Sequence, residues 1–85
     1  MPIVRGTFVT SYAVGGRIIE CDRYQWFAAT GGPNVVCYRL FDRATGQCLT
    51  VGDTLSAIPD QSYVGALVRG LRTGAHLRGE RDPLA

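Results

Sequence analysis

The stretch that decides the fold is residues 35–51, which read VVCYRLFDRATGQCLTV. Its two ends are rich in β-branched, aromatic and other apolar residues, as strands of a sheet usually are. Between them, residues 42–46 begin with an aspartate and end with a glycine, which is typical of a hairpin loop of four or five residues. The sequence therefore predicts two antiparallel strands, 35–41 and 47–51, joined by a short loop.

A second hairpin is predicted upstream. Residues 3–12 are rich in β-branched and aromatic types and lead toward Gly15 and Gly16, a pair that favours a two-residue turn. In the returning strand, 17–30, the apolar positions change from odd to even numbers. Because alternation with period two keeps one face apolar, this change predicts a β-bulge near residues 22–23.

A single helix follows the strands, because the apolar residues change from a period of two to a period of 3.6. Asp60 suits the N-cap position and Gly74 follows the last apolar position, so we expect the helix between them. Its apolar stripe consists of Val64, Leu67, Val68 and Leu71. The predicted fold is α+β: a four-stranded antiparallel β-meander, with a curl toward a small barrel as an alternative, followed by one C-terminal amphipathic α-helix.

The chain is predicted to form one domain. Its 85 residues, 46% of them apolar, suffice for one compact core. Residues 1–74 hold all the predicted elements, whereas residues 75–85 are arginine-rich and are expected to form a polar tail with little structure. No apolar run reaches the roughly 18 residues of a membrane helix, and no leader-like block is present. We therefore expect a cytoplasmic protein without membrane contact.

The predicted strand registers divide the sheet into two faces. If Ala29 pairs with Val35 and Asp42 pairs with Gln47, side chains that alternate with period two separate into an apolar set and a mixed set. We expect the helix to cover the apolar set. Its members are Tyr24, Trp26, Ala28, Val36, Tyr38, Leu40, Leu49 and Val51.

The mixed set contains arginines beside aromatic rings. Phe27 and Phe41, if exposed next to Arg23 and Arg39, would form a binding surface. The alternative is that a second layer, such as the first strand folding over, covers the two rings. The members of this set are Arg23, Gln25, Phe27, Cys37, Arg39, Phe41, Cys48 and Thr50.

A second candidate surface is the arginine cluster at the end of the helix. Arg69 and Arg72 lie on one flank of the helix, and Arg78 and Arg81 follow it. Guanidinium groups suit phosphate oxygens, and they also pair with acidic protein patches or remain solvated. All three alternatives stay open, because a net charge of +2 is too small to indicate a nucleic-acid or membrane partner.

The sequence contains no catalytic or metal-binding signature. The three cysteines lack the close pairs of a zinc site, and nothing places His76, the only histidine, near a thiol. Glu20 and Asp22 lie on the same side of a predicted strand and are expected to face solvent. We therefore expect reduced cysteines, no metal, no cofactor and no enzymatic activity. The cysteines are Cys21, Cys37 and Cys48.

These features favour a non-enzymatic protein-binding module that docks on a larger protein or nucleoprotein complex. In size and type, though in no motif, the chain is similar to small inhibitors and adaptors of phages and mobile elements, including proteins that block CRISPR effector complexes. The alternative is a nucleic-acid-binding domain that stacks bases on Phe27 and Phe41. A homodimer through an exposed edge strand is a further alternative. The expected binding residues are Arg23, Gln25, Phe27, Arg39, Phe41, Arg69, Arg72 and Arg78.

Overall fold

The computed structural model describes residues 5–26, 35–50 and 55–84, and for Trp26 and Val35 it describes the backbone alone. These residues form one antiparallel sheet, with strand order β1-β2-β3, and one helix, which confirms the predicted α+β class. The elements are β1 (Thr7–Val14), β2 (Arg17–Trp26), β3 (Val35–Asp42) and α1 (Gln61–Leu77).

The hairpin between β1 and β2 forms as predicted. Gly15 and Gly16 make its turn with φ values of 55° and 78°. Two-residue hairpin turns often need positive φ at both positions, which glycine adopts without steric cost. Val14 and Arg17 are the last paired residues before the turn, so the hairpin is as short as the sequence indicates.

The β-bulge lies in β1, and the prediction of a bulge at residues 22–23 of β2 is wrong. The register shifts between Phe8 and Thr10, whereas β2 pairs with β3 without interruption. The apolar residues of β2 change phase because the strand is covered on both faces. Ile19 and Cys21 are buried on the helix side of the sheet, and Tyr24 lies on the other side.

The register between β2 and β3 differs from the prediction. Trp26, not Ala29, closes this strand pair opposite Val35. Residues 27–34, which include Ala29 and the predicted loop, lie outside the described residues. A shift by an odd number of residues moves every side chain of one strand to the opposite face relative to its partner.

This shift changes which residues share a face. The predicted place of Tyr24 in the helix-facing core is wrong. Arg23 and Gln25 lie on the helix side of the sheet, so the predicted face that joins them to Arg39 is wrong as well. On the side away from the helix the cross-strand pairs are Glu20–Phe41, Asp22–Arg39 and Tyr24–Cys37.

The loop after β3 forms as predicted. The Asp42 N–H donates to the Gln47 carbonyl at 2.9 Å, and the Gly46 N–H donates to the Asp42 carbonyl at 2.7 Å. Gly46 has a φ of 74°, in the region that favours glycine. These bonds turn the chain back along the outer edge of β3.

Beyond this loop the described residues do not confirm the predicted fourth strand. The Thr50 hydroxyl, instead of a carbonyl, accepts a hydrogen bond from the Leu40 N–H at 3.4 Å, so the ladder is interrupted. Residues 51–54, which include the predicted strand end, lie outside the described part of the chain. A curl toward a barrel is not confirmed either. Two isolated bridges remain, Phe41–Cys48 and Tyr38–Leu55.

The helix begins where the sequence predicts. The Asp60 carboxylate accepts the Tyr63 N–H at 2.7 Å, so Asp60 is the N-cap. Val64 and Val68 are fully buried, as the apolar stripe predicts. The helix packs with the sheet into one core. Its buried members are Tyr12, Ile19, Cys21, Leu40, Leu49, Val64, Val68 and Leu84.

The helix ends later than predicted, and the segment after it is ordered. Gly74 remains helical, and Gly79, with a φ of 71°, forms the terminating turn. The Gly79 N–H donates to the His76 carbonyl at 3.0 Å, which is part of a Schellman motif. The chain then returns Leu84 to the core, where its side chain is fully buried. The expectation of a tail with little structure is therefore wrong for these residues.

The buried position of Leu84 gives a stability prediction. Leu84→Ala should lower the free energy of unfolding by about 2 to 5 kcal/mol, the usual range for a fully buried leucine. Leu77→Ala is the matched control, since Leu77 is 79% exposed, and it should change stability by less than about 0.5 kcal/mol. Urea denaturation of both variants checks this, and equal effects would contradict the burial of Leu84.

Candidate functional site

The sheet face away from the helix carries a row of alternating charges. The Arg43 Nε lies 3.5 Å from one Glu20 oxygen, and the Arg5 Nη2 lies 3.7 Å from the other. The Arg5 Nε is also 3.7 Å from Asp22, whose Oδ2 lies 2.8 Å from the Arg39 Nη2. We call these five residues, Arg43, Glu20, Arg5, Asp22 and Arg39, the charge ladder.

Asp22 is the buried anchor of the charge ladder, with 1% of its surface exposed. Its carboxylate accepts the Arg39 Nε–H at 3.2 Å and an Arg39 Nη2–H at 2.8 Å, in a two-pronged arrangement. It also accepts the Gly6 N–H at 2.7 Å. A buried carboxylate needs such partners to offset its lost hydration. The expectation that Asp22 faces solvent is therefore wrong, and Glu20 is itself largely covered.

The approach of Gly6 to Asp22 requires a residue without a side chain. A Cβ atom at this position would lie 2.2 Å from the Arg23 carbonyl oxygen. No side chain can be accommodated at that distance without moving the backbone of β2. Gly6 thus allows the chain before β1 to cross close to β2, which brings Arg5 over the sheet.

Arginine side chains form the layer that covers Phe41. The guanidinium carbon of Arg5 lies 4.0 Å from the centroid of the Phe41 ring, and that of Arg39 lies 5.1 Å from it. Arg39 also stacks on Tyr24 at 4.1 Å, so its guanidinium lies between two aromatic rings and Asp22. Phe41 is fully buried, and the alternative of a second layer is correct for this ring. Phe27 lies outside the described residues.

The accessible part of the charge ladder is positive. The side chains of Arg5 and Arg43 are 41% and 54% exposed, whereas the Arg39 side chain is mostly covered. Three arginines and two carboxylates leave a net charge of +1 on the ladder. The exposed guanidinium groups can therefore attract an anionic group from a partner.

A cleft of about 440 Å³ adjoins the charge ladder where β1 begins. Arg23 and Gln25, two predicted binding residues, line it and are exposed. They are brought together with Arg5, not with Arg39 and its neighbours. Within the described part of the chain, Arg23 makes no ion pair. The described residues that line it are Arg5, Gly6, Thr7, Arg23, Tyr24 and Gln25, and none of these is acidic.

The predicted arginine cluster is partly neutralised within the chain. The Arg72 Nε lies 3.3 Å from Asp82, and Arg78 makes two hydrogen bonds to Glu80 at 2.9 and 3.2 Å. These bonds, and then the charges, raise the pKa of Arg78 and lower that of Glu80. Arg69 is exposed on the helix. Of the three predicted binding residues in this cluster, Arg72 and Arg78 are therefore already paired with carboxylates.

The described residues contain no group of three or more histidine, cysteine and acidic side chains that could hold a metal ion. All three cysteines are free thiols. Burial, and to a smaller extent the charge of Asp22, raise the pKa of the Cys21 thiol. Because the thiolate is the reactive form, Cys21 is suited to core packing and not to nucleophilic attack.

Arg5, Tyr24 and the role of Asp22 are absent from the sequence-based set of site residues. One signal for them is the pair of carboxylates two positions apart, at Glu20 and Asp22, on a strand with apolar neighbours. Side chains two apart share a face, so two acids on a covered face require cations nearby. Arg5 gives no such signal, because its position depends on the path of the chain before β1.

Comparisons with protein-family models, with curated proteins and with solved structures find no match for this chain. The class that the structure defines is a small α+β domain with an antiparallel sheet, one C-terminal helix and an arginine-rich second face. In the described ranges no helix combines the length and apolar character needed to cross a bilayer. The charge ladder and the adjoining cleft are the surface features of the described residues that suit binding.

Proposed function

We propose that this protein is a small non-enzymatic protein-binding module that docks through the charge ladder onto an acidic surface of a larger protein or nucleoprotein complex. The observation that supports this most strongly is the exposure of Arg5 and Arg43 on a face with excess positive charge. Arginine is enriched among the residues that dominate binding energies at interfaces.

Contacts within the charge ladder also limit the motion of Arg5 and Arg43, the two arginines that would bind the partner. Glu20 contacts both exposed arginines, and the Phe41 ring supports Arg5 from below. Immobilising a long side chain on binding costs about 0.5–1.5 kcal/mol, and part of that cost is already met in the free protein. A partner carboxylate would therefore meet arginines that are partly held in position.

We propose further that the protein acts as an inhibitor or adaptor. Small size and an arginine-rich docking face suit an inhibitor or adaptor of the kind that phages and mobile elements encode, such as a protein that blocks a CRISPR effector complex. A cytoplasmic location belongs to the same proposal. Such proteins act by occupying a surface, which requires affinity and complementary charge but no catalytic group.

Nucleic-acid binding is the second candidate, and the cleft favours it, because Arg5 and Arg23 line it and none of its described lining residues is acidic. Burial of Phe41 weighs against it, because that ring cannot stack on a base. A fluorescent single-stranded oligonucleotide distinguishes the two candidates. Nucleic-acid binding would weaken log-linearly and steeply with salt, whereas no binding at low salt would eliminate this candidate.

The docking surface is tested with two double variants that remove equal charge. Arg5→Gln with Arg43→Gln neutralises the exposed ladder arginines and leaves the mostly covered Arg39 in place. Arg69→Gln with Arg81→Gln is the matched control on the helix and tail. We expect the ladder variant to bind at least tenfold more weakly than wild type to the protein it retains from host lysate, and the control to bind normally.

Affinity is measured by biolayer interferometry with the purified partner, after circular dichroism has shown that both variants are folded. Equal affinity of the ladder variant and wild type would contradict docking through the ladder. Loss of binding only in the control variant would place the surface on the helix. Failure of the wild-type protein to retain any protein would contradict the binding function itself.

A further inference from the structure

We propose that the cleft lined by Arg5, Thr7, Arg23 and Gln25 is a binding site for a phosphomonoester group. This goes beyond the proposed docking function and does not depend on it. A free phosphorylated small molecule would fit the cleft as well as a phosphate carried by a protein. Three features of the cleft support this assignment, namely its charge, its hydrogen-bond donors and its size.

The charge of the cleft matches a phosphomonoester. Arg5 and Arg23 are the charged residues of its described lining, so the two guanidinium groups give it a charge of +2. A phosphomonoester carries about −1.5 to −2 at neutral pH. A single carboxylate would neutralise only half of this excess.

The donors of the cleft come from two strands that lie side by side. Thr7 on β1 is the direct cross-strand partner of Arg23 on β2. Directly opposite residues have Cβ atoms about 4.5–5.5 Å apart, so the hydroxyl and the guanidinium can reach oxygens of the same phosphate. Gln25 adds an amide on the same side of β2 as Arg23. Three types of donor thus line one opening.

The availability of Arg23 distinguishes it from the ladder arginines. Its side chain is exposed, and it makes no ion pair with any described residue. Arg5, by contrast, lies 3.7 Å from the carboxylates of Glu20 and Asp22. Both distances are too long for a hydrogen bond, so these two contacts do not satisfy its donors. A phosphate in the cleft would supply an anionic partner for Arg23, and Arg5 adds a second positive charge to the lining of the same cleft.

The size of the cleft indicates that the phosphate is attached to a larger group. A volume of about 440 Å³ lies within the usual range of roughly 300–1,000 Å³ for small-molecule sites. A bare phosphate ion would leave most of it unfilled. Tyr24 is among the lining residues, so the remainder of the ligand would lie beside it.

The test is a nuclear magnetic resonance titration of the full chain with phosphoserine, adenosine monophosphate and acetate at constant ionic strength. We expect phosphoserine or adenosine monophosphate to shift the amide resonances of Thr7, Arg23 and Gln25 saturably. Arg23→Gln should weaken this binding about tenfold by removing a charged donor pair. Arg69→Gln, which removes an exposed arginine outside the cleft, should leave the affinity for the phosphorylated probes unchanged. Thr7→Val, which removes the hydroxyl donor, should weaken the binding of these probes as well.

The two phosphorylated probes separate the sources of the phosphate. Tighter binding of phosphoserine indicates a phosphorylated protein, and tighter binding of adenosine monophosphate indicates a nucleotide, and either result supports the site. Acetate shifts equal to those of the phosphorylated probes would overturn the proposal, as would equal binding by Arg23→Gln and wild type. Stronger binding of a single-stranded oligonucleotide than of either monoester would replace it with a phosphodiester site.

Discussion

Replacement of Asp22 by alanine should lower the free energy of unfolding by about 3 to 5 kcal/mol, which is the range for removal of one partner from a buried ion pair. The variant leaves the two Arg39 donors and the Gly6 N–H without their acceptor. It also removes one of the two carboxylates that hold Arg5 over the sheet. For a domain of this size, such a loss is a large part of the total stability.

The measurement is urea denaturation followed by circular dichroism, with Glu80→Ala as the matched control. Glu80 also pairs with an arginine through two hydrogen bonds, but both partners are exposed, and exposed pairs contribute little. We expect this control to denature at the same urea concentration as wild type. If Asp22→Ala denatured there as well, Asp22 could not be the buried anchor of the charge ladder.

A double variant measures how much the Asp22–Arg39 ion pair contributes to stability, apart from the cost of leaving one buried charge unpaired. Replacing both Asp22 and Arg39 by leucine should cost less stability than Asp22→Ala, because no buried charge is left without a partner. The same double variant removes the guanidinium that lies between Tyr24 and Phe41. A stable double variant that no longer bound the partner would show that the charge ladder is retained for binding.

Phe41→Ala should also lower the free energy of unfolding by about 3 to 5 kcal/mol, the usual cost for a buried phenylalanine. Phe41 is fully buried beneath Arg5 and Arg39. Phe8→Ala is an identical substitution at a ring that is 57% exposed, and we expect it to cost less than about 1 kcal/mol. Urea denaturation compares the two directly, and a similar cost for both would mean that the arginines do not cover Phe41.

The local elements could be predicted from the sequence because their signals are local. Gly15 and Gly16 specify the first turn, residues 42–46 specify the second, and Asp60 caps the helix. The helix end was misplaced because a glycine within a helix and a glycine that ends one look alike in sequence. Only the positive φ of Gly79 distinguishes it from Gly74.

The faces of the sheet could not be predicted, because they depend on the pairing of β2 with β3, and the sequence of residues 27–34 contains no signal that fixes this register. Pairing Trp26 with Val35 instead of Ala29 moves Tyr24 to the face of Arg39. Alternation alone cannot detect such a shift when both faces of β2 are covered. The grouping of Arg23 with Gln25 was independent of that register, since residues two apart share a face, and it persists in the cleft.

The charge ladder could not be predicted from the sequence, because its residues come from segments that are far apart in the chain. A carboxylate on a strand is normally solvated, and its burial depends on cations that arrive from distant segments. For Asp22 these are Arg39 on a neighbouring strand and Arg5 before β1, which Gly6 allows to approach. A full set of partners is visible only once the chain has folded.

Solvent paramagnetic relaxation of the phenylalanine ring protons tests most directly whether the charge ladder covers the second face of the sheet. A soluble gadolinium chelate broadens the resonances of exposed groups and leaves buried ones sharp. With Phe41 buried under Arg5 and Arg39, its ring signals should remain sharp while those of the exposed Phe8 broaden strongly. Equal broadening of the two rings would contradict the covered face on which the proposed docking surface depends.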